Sequence, residues 1–86
     1  MFMDIPPHNP HKHYVDVIAV FFSDGKLNPL KIRMEDGAVF SVDRILDIRR
    51  AASLKAGGQG TRYTCRIDGK EAYLFYEDPR WFLESE

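Results

Sequence analysis

The chain of 86 residues has one cysteine, no excess of either charge and no long apolar run. A single thiol, Cys65, excludes an internal disulfide, which points to a reducing compartment and a core that holds without covalent staples. Twelve Lys and Arg stand against thirteen Asp and Glu, a formal net charge of −1. A polyanion partner must therefore be met by a local patch and not by the field of the whole molecule. The longest apolar stretch, Val17 to Phe22, is far below the roughly 20 residues of a membrane span. Met1-Phe2-Met3-Asp4 offers neither a cationic start nor an apolar h-region, so no secretory signal is expected. The Gly57-Gly58-Gln59-Gly60 stretch lacks the Gly-Lys-Ser/Thr ending of a P-loop and any dinucleotide fingerprint. A soluble cytoplasmic protein is the expectation, and no motif assigns it a reaction, a cofactor or a ligand.

What the chain does have is turn chemistry. Asp24-Gly25, Asp36-Gly37 and Asp68-Gly69 each separate two apolar-rich runs. Asp-Gly between alternating residues is a strong hairpin signal, because tight turns that match strand twist need a positive φ that costs glycine nothing. Three such turns describe an antiparallel meander. With 44% hydrophobic and 29% charged residues, the chain is a single globular domain. A domain this small buries only roughly 60–65% of its unfolded surface.

Residues 1–13 read as a flexible tail: Pro6, Pro7 and Pro10 lack donors, and the His-rich remainder has no apolar periodicity. Composition changes at Tyr14, and 14–22 is the first expected strand. In 27–35, Asn28, Leu30, Ile32 and Met34 fall on one side and Leu27, Pro29, Lys31, Arg33 and Glu35 on the other. Pro29 cannot occupy a central ladder position, so an edge or a bulge is expected there. Residues 38–42 return from the second turn. Residues 43–56 admit two readings. One is a helix capped by Asp43, with Ile45, Ile48 and Ala52 on one face and Gly57 beyond its end. The other continues the strand through Arg50 with Leu46 and Ile48 inward and Ile45, Asp47 and Arg49 outward, then loops to Gly60. Alternation and β-branched residues favour the strand, and a helical turn near 51–55 fits either version. Beyond the glycines, Tyr63, Cys65 and Ile67 alternate with Arg62, Thr64 and Arg66, a buried face against one turned to solvent or a partner. In 71–77, Ala72, Leu74 and Tyr76 oppose Tyr73 and Phe75, and Trp81-Phe82-Leu83 is a last short strand.

Five or six short strands in sequence order favour an all-β fold that closes into a small SH3-like barrel, since closure removes exposed edges. The runs Val42–Ile67, Tyr14-Val15-Asp16-Val17 and Tyr73-Leu74-Phe75-Tyr76-Glu77 resemble a family of small uncharacterised proteins from clostridia and related Firmicutes. The resemblance spans roughly residues 14–83. It implies a small bacterial β-barrel and supplies no activity or functional residues.

Several constellations bear on function. His8, His11 and His13 have metal-ligand chemistry, but a Pro-interrupted tail provides no rigid surrounding shell, so no metal site and no cofactor are expected. Arg44, Arg49, Arg50, Lys55, Arg62 and Arg66 supply six of the twelve positive charges within 23 residues. Of these, Arg44, Arg49, Lys55, Arg62 and Arg66 form a candidate basic face, beside which Tyr73 or Phe75 can stack a base. The competing account is a charged sheet face neutralised by Asp43, Asp47, Asp68 and Glu71. Cys65 reads as a core residue, because Arg62 and Arg66 point away from it and every histidine lies in the tail. The carboxylates Glu71, Glu77, Asp78, Glu84 and Glu86 sit at hairpin ends and the C-terminus, not in an expected cleft. The aromatics of 73–76 and 81–82 exceed what one face can bury. They either fill both sides of a curled sheet or leave a patch for a partner. The function expected is a non-enzymatic binding module, joined to an unidentified protein or to a second copy as a homodimer. The alternative is single-stranded nucleic-acid binding on the basic face of 43–50 and 61–67. No membrane partner is expected.

Overall fold

The computed structural model describes residues 12–53 and 57–84. They form six strands in chain order: β1 (Lys12–Phe21), β2 (Leu27–Arg33), β3 (Val39–Ala52), β4 (Gln59–Ile67), β5 (Lys70–Glu77) and β6 (Arg80–Glu84). Each pairs antiparallel with its neighbour in sequence, and β1 returns to β6, so the sheet is a closed barrel of the small SH3-like kind. No helix occurs among the described residues, and hence none long and apolar enough to cross a membrane.

All three Asp-Gly pairs turn the chain, by two geometries. Asp68 and Gly69, with φ of 52° and 75°, form the two-residue loop between the paired residues Ile67 and Lys70. Positive φ at both central positions is the turn whose twist matches a hairpin. At the other two pairs the glycine amide donates three residues back, Gly25 to Phe22 O and Gly37 to Met34 O. There the aspartate Oδ1 accepts the amide two residues on, Lys26 N at 3.0 Å and Ala38 N at 2.9 Å. This is the side-chain turn mimicry that favours aspartate at such positions.

The strands depart from strict alternation where bulges intervene. β1 starts at Lys12, two residues before the expected Tyr14, because Lys12 and His13 pair with Glu84 and Leu83 on β6. Residues 1–11, with His8 and His11, lie outside the described residues. On β2, Ala19 pairs with Pro29 and Ile18 with Lys31, leaving Leu30 as an extra residue. The bulge expected at Pro29 is therefore present, and it inverts the faces: Pro29 is buried and Leu30 exposed. On β3 the register shifts twice, at Asp43 and at Leu46. The strand reading of 43–50 holds, with Asp47 and Arg49 outward and Ile48 on the inner side as expected, but Ile45 and Leu46 exchange roles. Ile45 packs against the core, whereas Leu46 and Ile48 are exposed. Each bulge adds one residue, and one residue exchanges the two faces of a strand. Ala51 and Ala52 are extended, so the helical turn expected near 51–55 does not begin there; residues 54–56 lie outside the described residues.

Two apolar clusters result. Inside the barrel, Ile32, Tyr63, Cys65, Ile67 and Leu74 are buried with inward residues of every strand against them. On the outer side of β5 and β6, Phe75 and Phe82 are also buried, rings stacked 4.9 Å apart, with Ala51 packed on them. The aromatic closing segment thus fills both sides of a curled sheet, Tyr76 and Trp81 inside and Phe75 and Phe82 outside. Ser53 joins this outer arrangement: it is buried, and its hydroxyl donates to Glu84 Oε2.

Candidate functional site

Register places most of the basic candidates on one face. Across the β3–β4 ladder Arg44 stands opposite Arg66 and Arg49 opposite Arg62; across β4–β5, Arg62 faces Phe75 and Thr64 faces Tyr73. Arg44, Arg49, Arg62, Arg66, Tyr73 and Phe75 therefore share the outer side of the barrel. Lys55 lies outside the described residues.

Their surroundings differ. Arg49 donates to Asp47 from Nε at 2.7 Å and from Nη2 at 3.3 Å. That hydrogen bond, first among the causes, holds the Asp47 carboxyl below the ordinary aspartate value of 3.8 and raises the Arg49 guanidinium in turn. Arg62 is half-buried with its guanidinium 4.6 Å from the Tyr73 ring centroid, and its Nε is buried with no hydrogen-bond partner among the described residues. Arg66 reaches the Gly69 carbonyl at 3.5 Å. Arg44 is exposed. Phe75, a candidate for base stacking, is 1% exposed, which removes it from any surface a base can reach. Thr64, expected outward to solvent, is buried on the outer side between Asp47 and Tyr73.

The same face extends to residues that sequence reasoning passed over. Lys12 Nζ lies 4.6 Å from the Phe82 ring centroid and 3.6 Å from Glu77 Oε1, and the Arg80 guanidinium lies 4.2 Å from the Tyr14 ring centroid. A Lys12/Tyr14 and Arg80/Phe82 alternation was the available signal, hidden because Lys12 adjoins a proline-rich stretch.

Several groups with catalytic chemistry are engaged within the fold. The Cys65 thiol donates to its own strand's Tyr63 carbonyl at 3.3 Å, and burial pushes its pKa up to about 11. A thiol so poised is a poor nucleophile at neutral pH. Burial likewise raises Tyr63, whose hydroxyl donates to Leu27 O at 2.5 Å. Asp78 accepts from the Tyr76 hydroxyl at 3.1 Å. Among the described residues no group of three or more His, Cys, Asp or Glu is placed to hold a metal ion.

Three of the openings lie beside β2. Between β1, β2 and the start of β3, Ile18 and Val39 flank a cleft of about 230 Å³ with Lys31, Arg33 and Asp16 at its border. A cleft of about 480 Å³ lies between the β1–β2 turn and the far half of β3, with Phe21, Leu27, Ile48, Tyr63 and Tyr76 in its walls. At the other end of β2 a cavity of about 720 Å³ has Met34, Phe40 and Leu83 inside and Asp68, Lys70 and Glu71 at its mouth. The mixed charge of that mouth selects no ligand class.

Fold and surface together define a small antiparallel barrel with apolar clefts and a cationic–aromatic flank. No protein-family model matches the chain, and neither a curated protein nor a solved structure matches it.

Proposed function

We propose that this chain is a non-enzymatic protein–protein interaction module. The observation that carries the reading is the outer surface of β1, β2 and β3. Ile18 is 63% exposed and Val39 57%, on either side of the cleft of about 230 Å³, with exposed Leu30 nearby on the bulge. The Asp16–Arg33 ion pair at 2.6 Å and Lys31 border this apolar centre. An apolar centre with a polar rim is the anatomy of a protein interface, and soluble monomers rarely leave such residues contiguous. The partner is another protein or a second copy of the chain. A lone buried thiol supports a reducing compartment, and with the clostridial resemblance the module belongs in a bacterial cytoplasm.

Cross-linking in a lysate of the native host, with wild type and with Ile18→Asp/Val39→Asp, tests the reading. A specific adduct of the wild type should vanish in the variant while the folded fraction stays the same. Identical adducts from both would remove this surface from the function.

A second reading rests on one observation, the like-charged pairs Arg44/Arg66 and Arg49/Arg62 standing opposite each other beside Tyr73. Like charges across a ladder repel, and a phosphate backbone would relieve them. Under this reading a single-stranded oligonucleotide binds at low salt, the affinity falls steeply as salt rises, and Arg62→Glu/Arg66→Glu abolishes it. No binding by the wild type at low salt ends it.

A further inference from the structure

We propose that the edge of β3 over residues 47–52 takes up an extended acidic segment of a partner protein as an added strand. The proposal rests on the interaction-module reading above and names the partner's chemistry. β3 pairs with β2 only over Val39–Ser41, then continues to Ala52 with β4 alone. The two bulges, at Asp43 and Leu46, bend it away from β2. Past them, Asp47 through Ala52 pair with β4 without a shift. The other edge of this regular stretch has no strand beside it among the described residues. Such an edge is a template for an incoming backbone, in which main-chain hydrogen bonds give affinity and alternate side chains give specificity.

The side-chain receptor is next to it. The cleft walled by Phe21, Leu27, Ile48, Tyr63 and Tyr76 opens along this edge, and Phe21 is 70% and Ile48 49% exposed. These apolar surfaces receive every second residue of the added strand. Charge selects the rest. Arg49 and Arg50 stand on opposite sides of the edge, opposite Arg62 and Thr61 of β4, and Asp47 is the carboxylate bound to Arg49. With apolar residues of the incoming strand on the face of Ile48 and Arg50, its carboxylates meet Arg49 on the other. A second copy is disfavoured at this edge: antiparallel pairing of 47–52 with itself brings Arg49 and Arg50 of one chain against those of the other, and like charges directly opposite repel.

The test is an NMR titration of the isotope-labelled full chain with a capped hexapeptide of alternating valine and glutamate. Saturable binding is expected, with slowed amide exchange over 47–52 and shifts at Phe21, Tyr63 and Tyr76. The valine–lysine counterpart should bind roughly tenfold more weakly. A valine–glutamate peptide N-methylated at alternate amides should not bind, because its ladder donors are gone. Ile48→Lys should weaken binding with the thermal transition only slightly lowered, since Ile48 is half in solvent. Absence of saturable binding, equal binding of the lysine peptide or undiminished binding of the N-methylated one overturns the proposal. So does exchange at 47–52 that slows with protein concentration in the absence of peptide, which assigns the edge to a second copy. The Ile18→Asp/Val39→Asp adducts report on a different surface. Loss of those adducts with no hexapeptide binding leaves the interaction reading standing and this proposal refuted.

Discussion

β3 and β4 lie side by side in one ladder and obey different rules. β4 keeps the two-residue period from Gln59 to Ile67: Tyr63, Cys65 and Ile67 are buried, and no residue is inserted against β5. β3 is longer, is bulged twice, and leaves Leu46 and Ile48 exposed. The difference is one of neighbours. From Thr61 to Ile67 β4 has a strand on both sides, so its backbone groups there are committed and the register has no freedom. β3 has β2 beside it over Val39–Ser41 and β4 from Val42 to Ala52, and a strand free on one edge accommodates extra residues and bends. The strand that carries stability is therefore not the one that offers a surface.

Substitution of the register partners Tyr63 and Ile48 gives the largest expected contrast. Tyr63→Ala should cost about 4 kcal/mol in denaturant unfolding, from lost aromatic burial and the lost bond to Leu27 O. Ile48→Ala should cost about 0.5 kcal/mol, because half of that side chain is already in water. Comparable losses from the two would erase the distinction between the strands.

Gly60 sharpens the contrast at the start of β4. A Cβ there would collide with the Tyr76 carbonyl oxygen of β5, a backbone atom that cannot step aside. Gly60→Ala should cost about 2 kcal/mol, with the melting temperature as readout. A wild-type melting curve would show that β4 and β5 can separate without penalty. At the turn between the same two strands, Gly69→Val forces a β-branched residue to a φ of 75° and should cost roughly 1 kcal/mol or more.

Alkaline pH probes the β4 core without mutation. Burial raises the Cys65 pKa from an ordinary 9.0 to about 11, so the folded state holds a proton that the unfolded state releases. The associated stability is fully present below pH 9 and is lost as pH rises through about 11. Cys65→Ala should flatten that limb of the stability profile, and the native thiol should resist modification at pH 8. Rapid modification of the native protein would contradict its burial. The smallest effect belongs to β3. The Asp47 carboxyl should titrate below the ordinary aspartate value, and Arg49→Gln should return it upward with little change in unfolding. An unmoved Asp47 titration in that variant would mean that the pair does not persist in solution.

Part of this molecule was legible in its residues alone. Three Asp-Gly turns, the alternation of 61–67 and the proline-induced bulge of β2 are local: each depends on φ preference or on a two-residue period that neighbours reinforce. Closure into a barrel followed from the strand count and meander order. The basic candidates were recognised as a group, and Arg44, Arg62, Arg66 and Tyr73 do share a face. Burial of Phe75 was not legible, because it depends on a second cluster outside the barrel. Nor were the places of Ile45 and Leu46, since a bulge leaves no mark in composition and each one inverts the faces until the next restores them. The contributions of Lys12, Tyr14 and Arg80 and the cleft beside Ile48 arise where β1 meets β6 and where β2 and β3 part. Local rules determine which segments extend and where they turn, because those energies lie within a few residues. Which surfaces meet, and which edge stays open, was decided by tertiary structure, because those energies belong to contacts between strands distant in sequence.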